Sequence, residues 1–115
     1  MAVKYNSFGK AIAKNDIDTI TLKAMFMATT YTPNPDTEVY VSDIVANRAS
    51  GTTDLTLGGM TITVDNTDNR TEFDFNDLVT GTITATTDGV VIYIDTGVAA
   101  TSELLCYLEL QTGGT

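Results

Sequence analysis

Apolar positions in this chain come in short blocks, unbroken or alternating with polar ones, and turn-forming residues stand between the blocks. Residues 90–94, Val-Val-Ile-Tyr-Ile, are apolar without a break and mostly β-branched, with Thr87-Asp88-Gly89 before them and Asp95-Thr96-Gly97 after. A run this short predicts a strand covered on both faces rather than a helix. A second run, residues 104–110, follows a loop of small residues and is expected to pair with the first. It places Leu104, Cys106, Leu108 and Leu110 on one face and Leu105, Tyr107 and Glu109 on the other.

Residues 19–27 predict another strand. Ile20, Leu22, Ala24 and Phe26 share one face; Thr21, Lys23, Met25 and Met27 share the other, which is only half polar. Met60, Ile62 and Val64 alternate with Thr61, Thr63 and Asp65, and Thr71, Phe73 and Phe75 alternate with Glu72, Asp74 and Asn76. Between them Asp65-Asn-Thr-Asp-Asn69 tolerates left-handed backbone and Asx-turns, so the two blocks read as a hairpin. Residues 82–86 form a weaker strand with Ile83 and Ala85 inward.

Helix is expected in few places. Asn6-Ser7 can cap residues 8–14, where Phe8 and Ile12 stand four apart. A turn is expected at Asn15-Asp16. Asp36-Thr37 can cap a short helix through residues 39–44, although the β-rich composition of 39–45 suits a strand nearly as well. Tyr31-Thr-Pro-Asn-Pro-Asp36 excludes regular structure, because two prolines fix φ and restrict the residues before them. Ser50 to Asp54 reads as a loop and Gly58-Gly59 as a bend or bulge.

This pattern predicts an all-β fold: a single domain over residues 1–115, an antiparallel sandwich or jelly-roll-like barrel with at most one or two short helices. Residues 1–14 stand as an N-terminal arm or short helix, and 111–115 as a frayed tail. The expected core includes Leu22, Phe26, Ile62, Phe73, Val91, Ile92, Leu104, Cys106 and Leu108.

Composition agrees with a β-rich domain: about a fifth of the chain is threonine. Charge adds something new. The net charge is −9, yet all four lysines, Lys4, Lys10, Lys14 and Lys23, fall in the first 23 residues, against Asp16 and Asp18. The rest carries Arg48 and Arg70 against thirteen acids. An acidic body repels phosphates, so nucleic acid is not an expected partner. Two readings of the polarity stand: solubility, or a basic end that docks on an acidic partner. No apolar run approaches the ~20 residues of a membrane span, and nothing resembles a signal peptide. No membrane partner is expected, and synthesis in a cytoplasm-like compartment is. One cysteine permits no intrachain disulfide.

Candidate chemistry is sparse. There is no histidine, the commonest general base and metal ligand, and no Gly-x-Ser-x-Gly setting for a nucleophilic serine. Cys106 stands among leucines with no cationic partner in its pattern, which suits a buried structural thiol better than a nucleophile. Asp65 to Asn69 clusters oxygen ligands for calcium. However, Arg70 stands where a calcium loop wants glycine, and Asn76 where it wants glutamate, so a hairpin turn is the better reading. Asp74 and Asp77 could form a catalytic carboxylate pair or solvated charges at a strand edge. Asn69-Arg-Thr71 matches a glycosylation sequon that carries no weight without a secretory signal. Met25 and Met27 read as core or oligomer-contact filler rather than a cofactor box.

Taken in order, several segments resemble a known family. They are Tyr5-Asn-Ser-Phe-Gly-Lys10, Asp18-Thr-Ile-Thr-Leu-Lys23, Tyr31-Thr-Pro-Asn-Pro-Asp36 and Val41-Ser-Asp-Ile44. Gly58-Gly-Met-Thr-Ile62, Phe73-Asp-Phe-Asn-Asp77, Val91-Ile-Tyr-Ile-Asp-Thr-Gly97 and Leu104-Leu-Cys-Tyr107 follow. The set is similar to small structural proteins of tailed bacteriophages, often encoded close to the major capsid gene. Such proteins look like capsid decoration, or cement, proteins: β-rich modules that bind the outside of the shell as oligomers, often trimers.

The resemblance implies no enzyme activity and no cofactor, the major capsid protein as partner, and residence on the virion. Where the family often has an aromatic before the Gly-Gly bend, this chain has Asp54-Leu55. The family also tends to run on into a final strand, whereas here the chain ends at Gly113-Gly-Thr115. The last sheet is therefore expected to be a strand short or completed by a neighbour.

Lys4, Tyr5, Phe8, Lys10 and Lys14 are the candidate capsid contacts, and Met25 and Met27 the candidate oligomer contacts. The opposing reading has Tyr5, Phe8 and Ile12 cap one end of the domain's own core. Other functions that fit the composition are a virion-displayed adhesion module binding host glycan, another head or tail component, or a small hydrolase with paired acids.

Overall fold

The computed structural model of the chain describes residues 2–14, 20–58, 61–74, 76 and 85–109. The fold is all-β, as the pattern predicts: the described residues hold seven antiparallel strands in two sheets, with two short α-helices. In chain order these are β1 (Ala2–Lys4), α1 (Phe8–Lys14), β2 (Thr21–Met27) and α2 (Val41–Ile44), which a 3-10 turn (Val45–Asn47) continues. Then come β3 (Leu55–Leu57), β4 (Thr61–Asp65), β5 (Arg70–Asp74), β6 (Gly89–Asp95) and β7 (Leu104–Glu109).

The unbroken apolar block forms β6, the middle strand of a five-stranded sheet ordered β1-β7-β6-β2-β3. β2 runs beside it from Thr21 opposite Asp95 to Met27 opposite Gly89. A strand with neighbours on both sides and cover on both faces has no solvent side to keep polar. Val91 and Tyr93 join one core cluster with Met25, Met27, Leu104 and Tyr107, which Tyr5, Tyr31, Val41 and Ile44 cover. Ile94 joins a second cluster with Leu22, Leu105 and Ala11 of α1, against which Phe8, Ile12, Ile20, Leu57 and Ile92 pack.

β7 departs from strict alternation. Ile92 lies opposite Cys106 but Tyr93 lies opposite Leu104, so Leu105 is an extra residue in a β-bulge. The bulge lets Leu104 and Tyr107 enter one cluster while Leu105 enters the other. The expectation that Leu104, Cys106 and Leu108 share the core is therefore corrected. Leu104 is fully buried, Cys106 is half-buried, and Leu108 is 42% exposed. Leu22, Phe26 and Val91 are buried as expected, and Ile92 is half-buried. The side chains of Ile62 and Phe73, also expected in the core, lie outside the described residues.

Two edge strands were not legible in the pattern. β3 pairs with β2, Leu22 opposite Leu57. β1 pairs with β7, Ala2 opposite Leu108 and Lys4 opposite Cys106. The place beside β7, expected to stand open or await a neighbour, is thus filled by the chain's own N-terminus.

α1 covers the predicted residues. The Ala11 amide donates to the Ser7 carbonyl at 2.9 Å, but the Ser7 hydroxyl donates to the Leu104 carbonyl at 3.3 Å. α2 is a helix rather than a strand, and its cap is not Asp36-Thr37. Asp43 Oδ2 accepts from the Val39 and Tyr40 amides at 3.0 and 2.9 Å, while the Asp36 carboxylate is held by Asn6 Nδ2 at 2.8 Å.

β4 and β5 form the expected hairpin, with Ile62 opposite Phe73 and Val64 opposite Thr71. Its loop behaves as predicted: Asp65 Oδ1 accepts from the Thr67 and Asp68 amides at 3.0 and 3.2 Å, and Asn69 takes a left-handed φ of 54°. Asn15-Asp16, residues 82–84 of the weaker strand and the tail 111–115 lie outside the described residues; residues 85 and 86 are not in a strand.

Candidate functional site

The residues expected at the capsid contact are divided by the fold. β1 leads into Tyr5, which is 1% exposed and belongs to the first core cluster. Its amide donates to the Leu105 carbonyl at 3.1 Å, so the backbone is fixed as well as the ring. Tyr5 cannot serve as an anchor for another protein while it fills this core. Phe8 is half-buried against the second cluster, with the Lys4 ammonium 5.4 Å above its ring. Lys4 and Lys10 are exposed, and Lys14 ends α1. Of the two readings of this segment, the one in which Tyr5, Phe8 and Ile12 cap the domain's own core describes the structure. The basic charge is carried on an ordered strand and helix.

The oligomer-contact expectation is corrected in the same way. Met25 and Met27 are both 0% exposed, enclosed by this chain's own Tyr31, Val41 and Ile44 cluster. The half-polar face of β2 is half-polar because its two ends differ. Lys23 reaches Asp95 at 3.2 Å, and the methionines at the other end are core.

Two polar chains fasten the loops to the sheet. Tyr5 donates to the Tyr31 hydroxyl oxygen at 2.5 Å, and Tyr31 donates to Glu38 Oε1 at 2.8 Å. The same oxygen accepts the Asn34 amide at 2.7 Å. On the same sheet, Tyr93 donates to Asp54 Oδ2 at 2.5 Å, while the Arg48 guanidinium grips Asp54 with both prongs at 2.9 and 3.0 Å. Asp54 is thus the acceptor that ties the Arg48–Asp54 loop to the central strand.

The chemistry of these groups is that of clamps. Burial pushes the Tyr5 phenol up to about 12. Burial also raises Tyr31, and the bond it donates to Glu38 adds to the shift. Tyr93 rises for the same first reason, reinforced by Asp54. Each is held as a protonated donor, far from the neutral range in which a general base works. The Asp43 carboxyl is lowered by the Tyr40 and Val39 amides. Asp95 is lowered first by the Gly97 amide and then by Lys23. Burial raises the Cys106 thiol, which suppresses the reactive thiolate.

At the hairpin, Arg70 lies 2.5 Å from Glu72, 3.5 Å from Asp65 and 3.8 Å from Asp68. A guanidinium sits where the calcium reading of Asp65 to Asn69 would put the ion. Asp74 lies on β5, and Asp77, its partner in the paired-acid reading, lies outside the described residues. Among the described residues no three His, Cys, Asp or Glu converge to hold a metal, and no helix is long and apolar enough to cross a membrane.

Sequence reasoning missed both tyrosine clamps. Their partners lie 26 and 39 residues apart, and no periodicity links a strand to a loop at such distances. No protein family, curated protein or solved structure matches the chain.

Proposed function

We propose that the protein is a virion structural protein of a tailed bacteriophage, a capsid decoration protein that binds and reinforces the outer shell as a homo-oligomer, with a trimer favoured. The observation that carries this reading is the ordered set of segments resembling that family. The fold gives the set a physical coherence. Tyr5, Tyr31, Val41, Ile44, Val91, Tyr93, Leu104 and Tyr107 all come from those segments, and all belong to one core cluster. The likeness therefore follows the scaffold that shapes the domain.

Two further features support a binding module. Tyr5, Tyr31 and Tyr93, with their raised phenols, serve as clamps, and the exposed Lys4 and Lys10 stand on ordered elements. A rigid basic surface engages an acidic one with little ordering cost, and rim charges of this kind act chiefly on association rate and salt dependence.

The test is co-sedimentation of the purified chain with empty capsids of the phage that encodes it. Saturable binding to the shell, weakened by salt, is the expected outcome. A chain that stays in the supernatant at every concentration and salt level overturns the proposal.

A further inference from the structure

The fold carries two oppositely charged surfaces on different elements. β1 holds one edge of the five-stranded sheet and β3 the other. Residues 2–14, at the β1 edge, carry three lysines and no acid. The hairpin follows β3 in the chain, joined to it through Gly58, whose carbonyl accepts the Asn76 amide at 2.9 Å. Residues 61–74 carry one arginine and four acids. The balances are equal and opposite, and the four strand spacings between β1 and β3 amount to about 19 Å.

Among the described residues the hairpin has few partners: there β4 and β5 pack extensively only on each other, Val64 is 67% exposed, and Thr63, Thr71 and Glu72 are exposed. A two-stranded ribbon alone is marginal in water. At the far edge, β1 presents a strand with no neighbour on its outer side among the described residues, a ready template for an added strand.

We infer that the hairpin of one copy docks on the β1–α1 edge of the next, its acids meeting Lys4 and Lys10. This rests on the homo-oligomer part of the reading above and names the surfaces that would make it. The contact is heterologous, one surface of each copy meeting a different surface of its neighbour. Such contacts close into rings or run on as filaments, and a closed ring of three satisfies every hairpin and every β1 edge.

The experiment uses two full-length variants that leave the core untouched. Asp68→Lys/Asp74→Lys reverses the hairpin, and Lys4→Glu/Lys10→Glu reverses the β1–α1 edge; circular dichroism checks that each folds. Mass is read by light scattering at low and high salt. Wild type is expected to be oligomeric at low salt and to dissociate as salt rises. Each variant alone is expected to be monomeric, since like charges then meet. An equimolar mixture of the two should associate again through contacts between unlike copies, as open pairs and even-numbered assemblies, because a closed ring of three would include one repulsive contact between like copies.

A wild type that is monomeric at all concentrations overturns both this inference and the homo-oligomer reading. A wild type that is oligomeric, with both variants equally so, overturns this interface and leaves self-association standing. Recovery in the mixture is an outcome that mere destabilisation of the variants cannot imitate.

Discussion

At the residue scale, the tyrosines carry most of what is distinctive. Tyr31→Phe removes the acceptor of the buried Tyr5 hydroxyl and a donor to Glu38 at once. Tyr5→Phe leaves Tyr31 still donating. Denaturant unfolding should therefore show a loss of about 1–3 kcal/mol for Tyr31→Phe and roughly 1 kcal/mol or less for Tyr5→Phe; equal losses would contradict the direction assigned to the chain. The raised phenols also set an alkaline limit. A proton held more tightly in the folded state contributes stability that is full below the ordinary value of 10.0 and lost as pH rises through about 12 for Tyr5. Tyrosinate absorbance from the buried phenols should appear together with unfolding in that window, and its appearance at pH 10 in a folded protein would contradict the burial. Gly89 adds a steric case. A Cβ there would lie 2.5 Å from Tyr107 Cζ and Oη, and that ring is buried and packed edge-on against Tyr31 with centroids 5.7 Å apart. Gly89→Ala should cost about 1–3 kcal/mol in the same assay, as overpacking does.

At the element scale, the long blocks were legible and the short edges were not. The run at residues 90–94 announced β6 because a strand covered on both faces keeps no polar side. The spacing of Phe8 and Ile12 announced α1, and Asp65 to Asn69 announced the hairpin turn through its Asx-turn chemistry. β1 and β3, each of three residues, are too short to show a period, and their pairing is decided by the sheet they join. The bulge at Leu105 was hidden for a related reason: an inserted residue is invisible in a sequence whose neighbours are all apolar. Its consequence is measurable. Leu104→Ala should cost ~2–5 kcal/mol as a large-to-small change at a fully buried site. Leu108→Ala should cost on the order of 1 kcal/mol or less, since little apolar area leaves water there. Equal costs would restore the unbulged alternation. Removing residues 1–8 strips β1 and Tyr5 from the sheet and core. Thermal melting of that truncation, with no capsid present, should show a large loss of stability; an unchanged melting temperature would restore the free-arm reading.

At the scale of the whole molecule, the polarity read from the sequence acquires a direction. The lysines alone did not tell whether the basic end was an arm or part of the domain; the register of β1 on β7 decides that. The clamps, the edge strands and the buried methionines make one ordered body, with basic charge on the β1–α1 segment and acidic charge on the β4–β5 hairpin. A module of this kind suits reinforcement of a larger shell, where rigid contacts add strength that flexible ones do not. The central claim is therefore that the bound protein stabilises capsids, and heating empty capsids with and without saturating chain tests it most directly. The account predicts that the disruption temperature of the shell rises when the chain is bound and returns to its starting value when the chain is washed off. A bound chain that leaves the disruption temperature unchanged would contradict it.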